Sequence, residues 1–209
     1  MSKPNIILIG AGGHAHACID VIEQYDQFRI AGIVGISGEM HTRHLGYSVI
    51  ATDADLPQLS KEYQYAFITV GQIHSPENRI RLYKLGTEIG FKFPVITAPT
   101  AHVSRHATIG YGAIVMHGAI VNAGAKVGIN CIINSHALVE HDAIVEEYCH
   151  ISTGAILNGD VKIGAGSFVG SGSIIKEGVV LGKGCTIGMG LSVRHNQKDH
   201  TRFVGNDKT

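Results

Sequence analysis

The chain has 209 residues and a mass of 22.2 kDa; at 44% hydrophobic and 16% charged it is too apolar for a disordered segment. Lysine plus arginine and aspartate plus glutamate number 17 each, so no basic field exists to hold a nucleic-acid backbone. Glycine reaches 27 residues against 5 prolines, which excludes collagen and proline-rich linkers and points to many tight turns.

Residues 5–9 are a continuous aliphatic run, followed by Gly10-Ala11-Gly12-Gly13-His14-Ala15. The run is too short for a secretory signal, and no stretch approaches the ~18 apolar residues of a membrane span, so a cytoplasmic chain is expected. An apolar segment from Ala15 to Gln24 reads as helix, and a further apolar stretch covers Arg29–Ile36. After a loop, Tyr65–Val70 reads as a strand ending in Gly71, Arg79–Gly90 as a helix, and Phe93–Ile96 leads out. Strands alternating with helices predict a small Rossmann-like parallel α/β domain over residues 1–98.

Gly10-x-Gly12-x-x-Ala15, after a strand and before a helix, brings backbone N–H groups close to a phosphate at a helix N-terminus. Three readings stay open: a dinucleotide site, a site for a nucleotide-sugar or other phosphate ligand, and a structural turn. Against NAD, the second strand runs into Gly35-Ile36-Ser37, with no ribose-gripping acid before Glu39.

From Val103 to Val193 an aliphatic residue recurs every six positions, sixteen times without a miss. Two positions before most of them sits a small residue, among them Ala107, Ala119, Cys131, Ala137, Ala143, Cys149, Ala155 and Ser167. Neither a helix nor a half-buried strand has that period, whereas a parallel β-helix with three short strands per coil does. Eighteen residues then make one coil, and positions eighteen apart stack. Gly110, Gly128, Gly164, Gly182 and Gly188 are expected to supply backbone angles that a Cβ forbids. Cys131, Cys149 and Cys185 share the inward small position, and Cys18 lies on the first helix, so no cysteine is placed as a nucleophile and no disulfide framework is indicated.

Hexads of this kind resemble the left-handed β-helix of the hexapeptide acyltransferases, over residues 99–195, with 196–209 as a C-terminal tail. Joined to a short α/β domain with the glycine turn, they resemble the NeuD/PglD-type sugar acetyltransferases over nearly the whole chain. That resemblance implies a homotrimer with active sites between subunits, acetyl-CoA as co-substrate, no metal, and a nucleotide-linked 4-amino sugar as acceptor for surface glycan synthesis. It implies Gly12, Gly13 and His14 as contacts to the nucleotide-sugar, and Asn134 as a residue near its amino group. His150, Gly170, Ser171 and Gly188 match positions that contact acetyl-CoA. The family's ending Val-Gly-x-Pro-Ala corresponds here to Val204-Gly205-Asn206-Asp207-Lys208, without Pro-Ala.

His141-Asp142 pairs an imidazole with a neighbouring carboxylate, the combination that fixes a tautomer and raises basicity for proton removal. The family's His-Glu/Asp motif carries its catalytic base onto His141 and the partner onto Asp142. One coil on from His141 is Gly159, whose bare backbone leaves room for a pantetheine arm and an N–H for a developing oxyanion. His102, His106 and His117 read as solvated. Alternatives are O-acetylation of sialic acid or another sugar hydroxyl, a zinc hydratase resembling gamma-class carbonic anhydrases through His136 and His141, and a non-enzymatic scaffold.

Overall fold

The structure is a computed structural model and describes residues 3–205. Two compact units divide it: residues up to 71 with 77–99, and residues 72–76 with those from 100 onward.

In the first unit, β1 (Asn5–Ile9) is followed by α1 (Gly13–Tyr25), β2 (Arg29–Gly35), β3 (Arg43–His44) and β4 (Tyr47–Thr52). Then come α2 (Leu56–Glu62), β5 (Tyr65–Ile68) and α3 (Glu77–Glu88). The sheet order is β3-β4-β2-β1-β5, parallel except for the β3–β4 hairpin. The chain therefore builds outward from β1 on one side and then crosses to the other. That makes the carboxyl ends of β1 and β5 the topological switch point, where sheets of this class hold ligands. Ile6, Ile7, Leu8 and Ile9 are fully buried, as a strand covered on both faces requires.

The expected elements shift at their ends. α1 starts two residues before Ala15, because Gly12 serves as N-cap, and β5 stops at Ile68 rather than Val70. The segment expected to be a loop between residues 36 and 65 contains β3, β4 and α2. Its signals were Leu45-Gly46, with Gly46 at φ +93° at the hairpin, and Pro57 at the start of α2.

The second unit is a left-handed parallel β-helix. Two-residue strands recur every six residues from His102–Val103 to Ser192–Val193, and each pairs in parallel with the strand eighteen residues away. Val121, Val139, Leu157 and Ile175 stack along one face inside, each at 0% exposure. Buried Ser167 and Ser173 are satisfied: Ser173 Oγ donates to the Gly188 carbonyl at 2.6 Å and accepts the Leu191 N–H at 3.0 Å.

The glycines divide into two kinds. Left-handed φ recurs every six residues from Gly112 to Gly190, and these corners turn the coil. Gly110, Gly128, Gly164, Gly182 and Gly188 do not share it, which corrects the sequence expectation. A Cβ at Gly110 or Gly128 would lie 2.5 Å from backbone nitrogen of the next coil, so glycine there is needed for space. Asn130, His136, Asp142, Tyr148 and Asp160 hold left-handed corners without glycine, at φ 51–60°. Such residues cost on the order of 1 kcal/mol each, and four of them are consecutive corners around Asp142. The charged end of the chain also continues the solenoid without hexads: Arg202–Phe203 pairs with Thr186–Ile187, and Gln197 bridges to Leu181.

All four cysteines are buried free thiols. Burial pushes Cys18 up to about 12 and raises Cys149 well above the ordinary thiol range, so neither is a nucleophile. Among the described residues no helix is long and apolar enough to cross a membrane. Leu157→Ala empties one rung of the stacked core and is expected to cost about 2–5 kcal/mol, read as a lowered denaturant midpoint.

Candidate active site

His141 and Asp142 stand at a corner of the β-helix, and the coil ladder fixes their backbone. The Asp142 N–H donates to the Ala123 carbonyl of the preceding coil at 3.1 Å, and the Asp160 N–H donates to the His141 carbonyl at 3.2 Å. The His141 Nδ1 lies 3.0 Å from Asp142 Oδ2. A carboxylate only accepts, so Nδ1 carries the proton and Nε2 keeps its lone pair. Glu140 completes the corner: its Oε2 accepts from Asn122 Nδ2 at 2.9 Å and from the His141 N–H at 3.2 Å.

Glycines flank this dyad on both sides. Gly124, one coil before Asp142, is where a side chain would run into the Asp142 carboxylate. Gly159, one coil after His141, leaves the imidazole uncovered; a Cβ there would lie 2.7 Å from Nε2. Gly159 has no left-handed φ, so the proximity of His141 rather than backbone conformation demands glycine. Its N–H has no intramolecular acceptor among the described residues. The hydrogen bond to Asp142 raises the His141 pKa above the ordinary histidine value, with further help from the nearby Asp142, Glu140 and Asp160 charges. The dyad is exposed, with side-chain accessibilities of 61% and 62%.

Asn134 and His150 meet in a second cluster. Asn134 Nδ2 lies 3.1 Å from His150 Nε2, while Asn134 Oδ1 accepts the Ser135 N–H at 2.8 Å. His150 Nδ1 lies 2.5 Å from the Gln72 carbonyl, which sets the tautomer with Nδ1 protonated and Nε2 accepting from Asn134. The ring also packs edge-on against Phe168, and the residue is 6% exposed. Gln72, from the 72–76 segment, is buried and donates to the Tyr148 carbonyl at 2.8 Å. Ser171 Oγ is 2.9 Å from Ser152 Oγ. At Gly170 an added Cβ would meet Gly188 backbone at 2.6 Å, and at Gly188 it would meet Val204 at 3.0 Å, so coil packing itself calls for both glycines.

In the first unit, the glycine turn lies at the switch point. Gly10, at φ +120°, abuts the end of β5: a Cβ there would be 2.8 Å from the Val70 nitrogen. Thr69 Oγ1 donates to the Gly10 carbonyl at 2.6 Å. Gly12 and Gly13 differ, because a Cβ on either would meet nothing within 4 Å. Their glycine character serves no packing need of the chain and leaves the first turn of α1 open to a close approach from outside. His14 is half-buried, with its Cβ 3.4 Å from where a side chain on Gly71 would begin.

Sequence reasoning missed the supporting residues. Arg79 is buried under the switch point, donating to the carbonyls of Ile68 at 3.1 Å and Val70 at 2.6 Å; nothing in the helical pattern singled it out. Asn122 and Glu140 were legible in principle, since they lie eighteen residues apart next to the dyad. His117, expected to be solvated, has its Nδ1 3.0 Å from Thr100 Oγ1, whereas His102 and His106 are exposed. His136 and His141 do not converge: the His136 ring lies against Gly118 of the preceding coil and the His141 ring against Gly159 of the following one. Among the described residues no group of three or more histidines, cysteines or carboxylates gathers as metal ligands. Asn206, Asp207 and Lys208 of the expected C-terminal motif lie outside the described residues.

Residues 5–84 match the PglD N-terminal domain, and residues 160–194 match the hexapeptide repeat of succinyl-transferase. Among solved structures, a perosamine N-acetyltransferase from Caulobacter crescentus, a histidine-to-asparagine variant in complex with CoA and GDP-perosamine, is 30% identical. That match covers 95% of this chain and 92% of the other, with a TM-score of 0.88. The acetyltransferase domain of PglB from Neisseria gonorrhoeae, in complex with acetyl coenzyme A, is 31% identical over 95% of both chains, with a TM-score of 0.87. WeeI from Acinetobacter baumannii, 20% identical over 90% of this chain and 94% of its own, shares the fold at a TM-score of 0.69. No curated protein matches in sequence.

Replacing the carboxylate removes the largest cause of the raised histidine pKa. In Asp142→Asn, the His141 ring followed by proton NMR is expected to titrate at lower pH than in the wild type. An unchanged titration would show that the 3.0 Å contact does not govern its basicity.

Proposed function

The chain belongs to the NeuD/PglD-type sugar acetyltransferases, and from that premise we propose that it acetylates the 4-amino group of a nucleotide-linked amino-deoxy sugar, using acetyl-CoA. The observation that carries the reading is the His141–Asp142 pair under an uncovered Gly159. Acetyl-CoA supplies an activated thioester carbonyl. His141 takes the proton from the sugar amine at Nε2 as the amine attacks, and Asp142 holds the imidazolium that results. The unpaired Gly159 N–H donates to the oxyanion, whose collapse breaks the C–S bond and expels the CoA sulfur, which takes up the proton held at His141 Nε2 to leave as the free thiol. The cleared space at Gly159 fits a slender thioester arm, which a side chain there would block. Transfer is direct, in keeping with the buried, raised thiols of Cys18 and Cys149.

Gly12, Gly13 and His14 are assigned to the nucleotide-sugar, and Asn134 to the acceptor side. His150, Gly170, Ser171 and Gly188 are assigned to the acetyl-CoA groove. The perosamine enzyme retains CoA and GDP-perosamine with a histidine replaced by asparagine or by alanine, which supports a chemical rather than a holding role for histidine on this fold. Outward-facing Ile120, Leu138, Ile156 and Ile174 form an apolar row at eighteen-residue spacing. That row supports a homotrimer in which neighbouring subunits complete each site. The proposed setting is the cytoplasm, in the synthesis of a surface glycan.

Thiol release from acetyl-CoA, measured with GDP-, UDP- and dTDP-linked 4-amino-6-deoxy sugars and with sialic acid, tests the assignment. Turnover of one amino sugar supports it, and turnover of sialic acid alone assigns the protein to O-acetylation. His141→Ala is expected to lose a hundredfold or more of kcat, of the order of general-base catalysis, while acetyl-CoA still binds. Because the base acts neutral and its pKa is raised, kcat/KM is expected to climb as pH rises through that pKa and to fall below it. Asp142→Asn moves that acid limb to lower pH.

A further inference from the structure

The β3–β4 hairpin meets α1 through two histidines that the acetyl-transfer chemistry does not use. His16 closes the first turn of α1 and is exposed, while His44, in β3, is half-buried. His16 Nε2 lies 3.1 Å from His44 Nδ1, with the ring centroids 5.3 Å apart and the planes tilted by 46°. Two backbones hold the pair: α1 carries His16, and the antiparallel pairing of His44 with Tyr47 and of Arg43 with Ser48 carries His44. The Thr42 hydroxyl donates to the Glu39 carbonyl at 2.6 Å and faces His44 Nε2 at 3.5 Å. Having given its proton to the carbonyl, that hydroxyl can only accept, so His44 carries its proton on Nε2 and presents the Nδ1 lone pair to His16. Asp20 follows His16 by one helical turn and brings a negative charge to the same face of α1.

We propose that His16 and His44 bind a divalent transition-metal ion of the zinc or nickel class, which fastens the hairpin to α1. Metal–nitrogen bonds of ~2.0–2.1 Å meeting at roughly 95–110° place two ligating nitrogens about 3.0–3.4 Å apart. The observed 3.1 Å falls within that interval. The ion takes the place of the proton held between the rings. His16 moves that proton from Nε2 to Nδ1 through solvent, and two neutral imidazoles then offer lone pairs to one point. His16, exposed on the helix, is free to make that change. Imidazole suits zinc, nickel and copper, whereas magnesium and calcium take oxygen ligands. Among the described residues no third ligand gathers here, so water completes the coordination and the ion is exchangeable. The proposal does not depend on the acetyltransferase reading, because metal binding is measured without turnover.

Calorimetry on the full chain, first stripped with a chelator, tests this with zinc, nickel and magnesium chlorides as probes. The wild type is expected to bind one zinc or nickel ion per chain and no magnesium. His16→Ala and His44→Ala are each expected to weaken zinc binding roughly tenfold or more. His106→Ala, which removes an exposed imidazole of the solenoid, is expected to leave it unchanged. His16→Gln separates the ion from the hydrogen bond, because its amide still donates to His44 Nδ1 but ligates zinc poorly. Amide hydrogen exchange reads the fastening at two hairpin bonds, His41 N–H to the Val49 carbonyl at 3.0 Å and Val49 N–H to the Thr42 carbonyl at 2.9 Å. With zinc at ten times its Kd, those amides are expected to exchange about tenfold more slowly in the wild type and at an unchanged rate in His16→Gln. Absence of zinc binding by the wild type at millimolar metal overturns the proposal. So does unchanged affinity in His16→Ala and His44→Ala, an equal loss in His106→Ala, or binding that leaves the hairpin amides unprotected.

Discussion

Each coil of the β-helix is located by the one before it, through backbone hydrogen bonds repeated at eighteen-residue intervals, such as Ile120 N–H to Ala137 carbonyl and Leu138 N–H to Ala155 carbonyl at 2.9 Å. That register decides which side chains are neighbours. It brings Asn122 to Glu140 and sets Gly124 beside Asp142 and Gly159 beside His141. Because inward positions are filled by stacked aliphatic and small residues, a strand cannot slip without turning its core set outward. A rigid scaffold of this kind holds an exposed dyad in place without burying it, and exposure leaves the imidazole open to solvent.

The chemistry of the corner follows from what the stacking leaves out. A side chain at 159 would cover Nε2, and one at 124 would displace the carboxylate that holds Nδ1. Four consecutive left-handed corners at Asn130, His136, Asp142 and Tyr148 do without glycine in this same stretch. Asp142 shows why: glycine at that corner would satisfy the backbone but remove the acid. The strain is accepted where a side chain is needed, and elsewhere along the solenoid glycine usually takes the corner.

Much of this was legible in the sequence because a period of six has few structural solutions and eighteen-residue arithmetic converts sequence distance into contact. Gly159 is placed beside His141 that way, while His141–Asp142 stands out in sequence as an imidazole next to a carboxylate, with the family motif added. The role of Gly110 and Gly128 was misread because sequence marks glycine but not whether φ or space requires it. The α2 helix and the β3–β4 hairpin were missed because short elements carry weak periodicity, and their turn residues had to be weighed against a polar surrounding. Arg79 and Gln72 escaped because their partners are backbone carbonyls distant in sequence, which no side-chain pattern records.

The central claim is that Asp142 holds His141 with Nδ1 protonated and Nε2 free to receive a proton. Nitrogen-15 NMR of the His141 ring, above its pKa, tests this directly. The expected spectrum shows the Nδ1–H tautomer, with Nε2 at the shift of an unprotonated nitrogen. A predominant Nε2–H tautomer would contradict the account, because the lone pair would then face the carboxylate and the ring would offer no free acceptor nitrogen for the proposed proton transfer.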